Sequence, residues 1–86
     1  MRYDHLRDLG IRMEHDWGER TKRFLKAELK RADITYEELA ARLSEMGLPE
    51  TRASVSNKIS RGGFPAAFFV AALKAIGVQQ MRLEDV

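Results

Sequence analysis

Between Thr51 and Gly62 the chain reads TRASVSNKISRG. Its polar residues Ser54, Asn57, Lys58 and Arg61 recur at steps of three and four, the spacing that gathers side chains on one helical surface. These are the types that read base edges in a major groove: Arg or Lys pairs with guanine, Asn with adenine, and Ser with several bases. Groups suited to phosphate surround them. Thr51 and Arg52 precede the stripe, the Gly62 and Gly63 amides follow it, and Thr35 offers a hydroxyl beside free amides at another helix start. Lys22, Lys26 and Lys30 recur every fourth residue and supply further candidate phosphate contacts. Any solvated helix carries such side chains, and a lysine face relieved by Glu19 and Glu28 is the plainer reading of Lys22, Lys26 and Lys30.

Other chemistries find little support. The chain has no Cys, which excludes a disulfide framework and a thiolate zinc site. His5 and His15 lie beside Asp4 and Asp16, but ten residues across Gly10 fix no coordination geometry, so solvated histidines are expected and no metal site. Arg61-Gly62-Gly63-Phe64 is a helix stop that lacks the lysine of a phosphate-binding loop. The expectation is a protein that is not an enzyme, has no catalytic residues, takes no cofactor and has no evident small-molecule substrate. No run reaches the roughly 18–20 apolar residues of a membrane span, and MRYDHLRDLG has no apolar signal core, so a cytoplasmic location away from membranes is expected.

Eighty-six residues make one small domain. Leu, Ile, Val and Phe number 21, about 24 % of the chain and above the roughly 20 % that marks disordered sequences. Strong helix formers number 48 against 11 Val, Ile and Thr, so an all-α fold is expected. The net charge is only +2. Residues 50–64 carry Arg52, Lys58 and Arg61 against Glu50 alone, and this local excess marks where a polyanion would bind.

Four to five short helices position these residues. Residues 1–16, with Tyr3, Leu6, Leu9 and Met13 at helical spacing but Gly10 between them, read as an arm, frayed or helical, before a domain over 17–86. Trp17, Thr21, Phe24, Leu25, Leu29 and Ala32 make the core stripe of a first helix from about Glu19. Thr35 and Glu38 form a capping box that opens a second, which Gly47 closes as a left-handed cap. Leu48-Pro49 connects to a third helix over 51–61, capped by Thr51, with Val55 and Ile59 buried. Pro65 starts a fourth that ends at Gly77. Eleven of the thirteen residues from Phe64 to Ile76 are apolar, and one small core covers only part of such a helix. Phe64, Phe68, Phe69, Val70 and Leu73 are therefore the expected interface of a homodimer.

A polar third helix followed directly by Arg-Gly is the skeleton of a helix-turn-helix domain. From Ile34 to Val78 the chain resembles the lambda repressor-like (Xre/Cro) superfamily. Thr35-Tyr36-Glu37-Glu38-Leu39-Ala40 is similar to its second-helix start, Ile59-Ser60-Arg61-Gly62 to its recognition-helix end, and Leu73-Lys74-Ala75-Ile76-Gly77-Val78 to its closing helix. Extended back to Trp17, the chain also resembles a family of short bacterial proteins of unknown function with Arg-Thr-Lys-Arg-Phe-Leu-Lys and Asn-Lys-Ile-Ser-Arg-Gly-Gly-Phe segments. The resemblance implies a transcriptional regulator that places helix 51–61 in the major groove of double-stranded DNA, and the polar stripe on that helix leads to the expectation that neutralising Lys58 or Arg61 weakens binding. One departure is the turn at Glu45-Met46-Gly47-Leu48-Pro49-Glu50, longer by roughly five positions than the superfamily's. It reads as an inserted elbow outside the core, and it keeps open the alternative of a protein-interaction module on the same scaffold that does not bind DNA.

Overall fold

Among the described residues, three of the four helices stop in the same way, with a leucine four residues before a left-handed residue and an apolar residue after it. The structure, a computed structural model, describes residues 13–86, with side chains from Trp17 onward. Its helices are α1 (Met13–Ala32), α2 (Tyr36–Glu45), α3 (Arg52–Arg61) and α4 (Ala66–Ile76), followed by one 3-10 turn, Leu83–Asp85. After α1 the Ile34 amide donates to the Leu29 carbonyl (3.0 Å); after α2 Leu48 donates to Leu43 (2.9 Å); after α4 Val78 donates to Leu73 (2.9 Å). The residue between takes positive φ: Asp33 at 58°, Gly47 at 90° and Gly77 at 100°. Such six-to-one bonds satisfy carbonyls that a helix end leaves orphaned. They also turn Ile34, Leu48 and Val78 back onto the core, where all three are partly buried. Asp33 is the exception, a residue with a Cβ where the other two ends have glycine.

The N-termini are as local as the stops. At α2 the Glu38 amide donates to Thr35 Oγ1 (3.1 Å) and the Thr35 amide to Glu38 Oε1 (3.0 Å), the expected capping box. At α3 Thr51 and Ser54 form the same reciprocal pair, with Ser54 in place of the usual Glu or Gln.

Among the described residues the fold is all-α with no strand. The α2 helix packs against α3 and α4, and α1 closes over α4 and α3. The chain turns by 118° between α3 and α4, so Val55 and Ile59 meet Phe68, Ala72 and Leu73 in one core with Leu39, Leu43, Phe24, Leu25 and Leu29. The first helix differs from its sequence reading. It begins at Met13 rather than near Glu19, running through Gly18, and of the expected stripe only Phe24, Leu25 and Leu29 are buried, while Trp17 and Ala32 are exposed. The tail folds back onto the core through Val78, Met81 and Val86, while Leu83 stays in solvent. Expectations for Tyr3, Leu6, Leu9, Asp4 and His5, and for the side chains of Met13, His15 and Asp16, lie outside the described residues. Among the described residues no single helix is long and apolar enough to cross a membrane.

Candidate nucleic-acid interface

The long turn between α2 and α3 is tied down at both ends. Ser44 Oγ donates to the Glu50 carbonyl and accepts from the Glu50 amide, both at 3.2 Å, which fixes the residue entering α3. The Glu50 side chain then turns inward, leaving 2 % of its surface exposed. Its carboxylate accepts from Ser54 Oγ (2.5 Å) and pairs with Lys58 Nζ. Burial alone would raise the Glu50 carboxyl, but the hydrogen bonds from Lys58 and Ser54 and the Lys58 charge outweigh it and hold the group below the ordinary carboxylate value. The elbow is therefore a strut, since Leu48 packs on the core and Glu50 braces α3, while Met46, Gly47 and Pro49 are exposed as an insert would be.

That strut divides the four base-reading candidates. Ser54 and Lys58 do not face outward free: Ser54 serves both the Thr51 cap and Glu50, and Lys58 lies against Glu50 with its ammonium 5.3 Å from the Phe68 ring centroid. Asn57 and Arg61 are exposed, and among the described residues neither side chain makes a hydrogen bond or ion pair. Ala53 and Ser60, not among the expected site residues, share that outer surface, and Arg52 is exposed at the first position of the helix. No carboxylate occurs between Arg52 and Arg61. With Lys58 neutralised by Glu50, the positive excess of this segment resides on Arg52 and Arg61.

The expected phosphate contacts also separate. The Thr35 amide and hydroxyl are taken by the Glu38 carboxylate, which occupies the place an anion would fill. The Thr35 amide bond, more than any other interaction, keeps the Glu38 carboxyl below its ordinary value, so Thr35 is not a free phosphate ligand. Thr51 accepts from the Ser54 amide through its hydroxyl, and its own amide donates to Ser54 Oγ. Gly62 is buried and its amide donates to the Lys58 and Ile59 carbonyls (3.3 and 3.1 Å), so it has no donor for phosphate; Gly63 is exposed. The role of Gly62 is steric. It caps α3 at φ 72°, and a Cβ there would lie 2.9 Å from the Gly18 carbonyl oxygen, while one on Gly18 would lie 3.2 Å from the Gly62 carbonyl oxygen. Two helices approach backbone to backbone at this point.

Of the three lysines, Lys22 pairs with Glu19 (3.2 Å) and donates to the Ser60 carbonyl (3.3 Å), bridging α1 to the last turn of α3 that carries Arg61. Lys26 and Lys30 are exposed, and Glu28 pairs with Arg31 rather than with them. On α4, Phe68 and Leu73 belong to the chain's own core, 2 % and 7 % exposed, because α1 and α2 pack on this helix; they are not available to a second copy. Phe64 and Phe69 are half-buried and stack on each other at 5.9 Å, which leaves Val70 as the exposed member of that set. Among the described residues no three metal-ligating side chains converge.

A family model described as a domain of unknown function, DUF6471, matches residues 17–81. The chain belongs to this family. The DUF6471 segment takes in α2, α3, α4 and all but the first turn of α1, together with the strut and both glycines of the α1–α3 contact. The description names no activity, and the match is to DUF6471 and not to a helix-turn-helix family. No curated protein and no solved structure matches the chain. Within the DUF6471 segment Ala53 lies one turn before Asn57 on the exposed surface of α3, with no polar group to mark it in the sequence.

Proposed function

We propose that this chain binds double-stranded DNA and presents α3 to the major groove, as a regulator of transcription would. One observation carries the reading: the outer surface of α3 holds the Asn57 and Arg61 side chains without intramolecular partners among the described residues, exposed Arg52 stands at the start of the helix, and the carboxylate nearest in sequence, Glu50, is folded onto Ser54 and Lys58. A positively charged helix with free amide and guanidinium groups is what groove recognition needs. Lys22 adds a cationic link between α1 and the Arg61 end of α3. The test is fluorescence anisotropy of the full chain on random-sequence duplex DNA over a salt series. Affinity that falls linearly with log salt supports the reading, and absence of binding at low salt overturns it.

A second reading, a protein-interaction module, is favoured by the exposed row Ala66, Ala67 and Val70 on α4, with Val70 56 % exposed. Its simplest partner is a second copy of the chain. Sedimentation equilibrium tests this directly, because a homodimer has twice the 9.9 kDa of one chain.

A further inference from the structure

Resting on the reading of α3 as the DNA-contacting helix, we infer that Ala53, Asn57 and Arg61 form one reading row, in which Ala53 determines specificity by packing its methyl on a thymine while Asn57 takes an adenine and Arg61 a guanine. Val55 and Ile59 define the buried side of α3. At about 100° per residue, Asn57 points about 180° away from the midpoint of those two, and Ala53 and Arg61 lie about 40° to either side of it. All three are exposed. The two residues that would otherwise compete for the groove, Ser54 and Lys58, are held by Glu50.

The chemistry of each position follows from its side chain. Asn and Arg each match two edge atoms of one purine, adenine N6/N7 and guanine O6/N7. Ala53 has no polar atom, so the only feature of a major-groove edge that it can favour is the thymine C5 methyl. At roughly 1.5 Å rise per residue the row is about 12 Å long, which spans three to four base steps of about 3.4 Å. Asn57 and Arg61 are about 6 Å apart along the axis, close to two base steps. The preferred site therefore carries an adenine and a guanine about two steps apart, with a thymine on the adenine side.

The experiment is selection by the full chain from a duplex library with a randomised centre, followed by affinity measurements on the enriched site. Asn57→Ala is expected to lose discrimination at the adenine alone and Arg61→Ala at the guanine alone, each by roughly 5- to 150-fold. Exchanging the thymine for uracil, which lacks the methyl, is expected to weaken wild type several-fold and Ala53→Gly not at all. Because the three side chains are exposed, Asn57→Ala and Arg61→Ala should keep the wild-type melting curve, while Ala53→Gly should lower the midpoint by a few degrees through helix propensity alone; melting is measured alongside, and binding is compared well below the lowest midpoint. If random duplex is bound but Asn57→Ala and Arg61→Ala retain every wild-type preference, or uracil is tolerated by wild type, the row is wrong while DNA binding stands. If wild type selects no sequence yet binds duplex, the row is likewise wrong; if it binds no duplex, the DNA-binding reading falls first.

Discussion

Glu50 reaches forward eight residues to Lys58 and meets it at the base of α3, taking Ser54 into the same cluster. Connector and helix are thereby one unit, and the pairing decides which cations of α3 are left for an outside partner.

Stability should follow the charge of Glu50 and Glu38. Both native values lie below the ordinary carboxylate value, so the native state favours the ionised form. Their contribution is complete above the unfolded-chain value of about 4.3 and is lost as the pH falls through the lower native values. Glu50→Gln is expected to cost about 1 kcal/mol at neutral pH and to flatten this acid limb, since it weakens bonds to a charged, partly exposed partner. Urea titrations of both proteins over a pH series give the comparison.

Lys58 and Arg52 should behave differently on DNA. Arg52 is exposed and free of any acid in the first turn, so Arg52→Ala is expected to lower the salt slope on random duplex by about 0.9, the value of one phosphate contact. Lys58→Ala is expected to leave that slope unchanged, because its charge is already spent on Glu50. A loss of slope in Lys58→Ala equal to that in Arg52→Ala would show that the pair opens on binding.

The two glycines at the α1–α3 contact should tolerate substitution unequally. Gly62→Ala combines a left-handed backbone with a 2.9 Å approach to the Gly18 carbonyl oxygen and is expected to cost about 2–4 kcal/mol. Gly18→Ala meets the milder 3.2 Å contact but gains about 1 kcal/mol of helix propensity, so it should lie within about 1 kcal/mol of wild type. Chemical denaturation resolves the difference.

Asp33→Gly is expected to stabilise the fold by about 0.5–1 kcal/mol. It removes a Cβ from φ 58° and a negative charge from the C-terminal end of α1. An upward shift of the thermal midpoint is the readout, and an unchanged midpoint would mean that the aspartate conformation is unstrained.

On α4, Phe68→Ala should cost about 3–5 kcal/mol, the usual penalty for a buried ring, whereas Val70→Ala should stay within about 0.5 kcal/mol. If Val70→Ala is costly only at high protein concentration, the exposed row is paired with a second copy.

Most of the fold was legible because it is built from short words. The Thr35–Glu38 box, the Gly47 and Gly77 stops, and the pairs Leu39/Leu43 and Val55/Ile59 each lie within one or two helical turns, where spacing determines geometry. Misjudgements fall where contacts cross a turn. Nothing in the spacing of Glu50 and Lys58 announces a bond, since the intervening cap breaks the helical register. Gly62 reads equally as an amide donor and as a point of close approach until Gly18 is placed against it. The row of Asn57 and Arg61 was visible in part; that Ser54 and Lys58 leave it follows only from where the strut lands.

Trp17 is the chain's single tryptophan, half in solvent, with the Arg20 guanidinium 4.3 Å from its ring centroid. Arg20 in turn donates to the Val86 carbonyl at 2.9 Å, across 66 positions of sequence. The indole thus stands next to a clasp between the first helix and the far end of the chain. Its emission is a built-in optical reporter of that clasp, sensitive to release of the tail while circular dichroism still registers four intact helices, so the order in which the two events occur on heating is readable without a label.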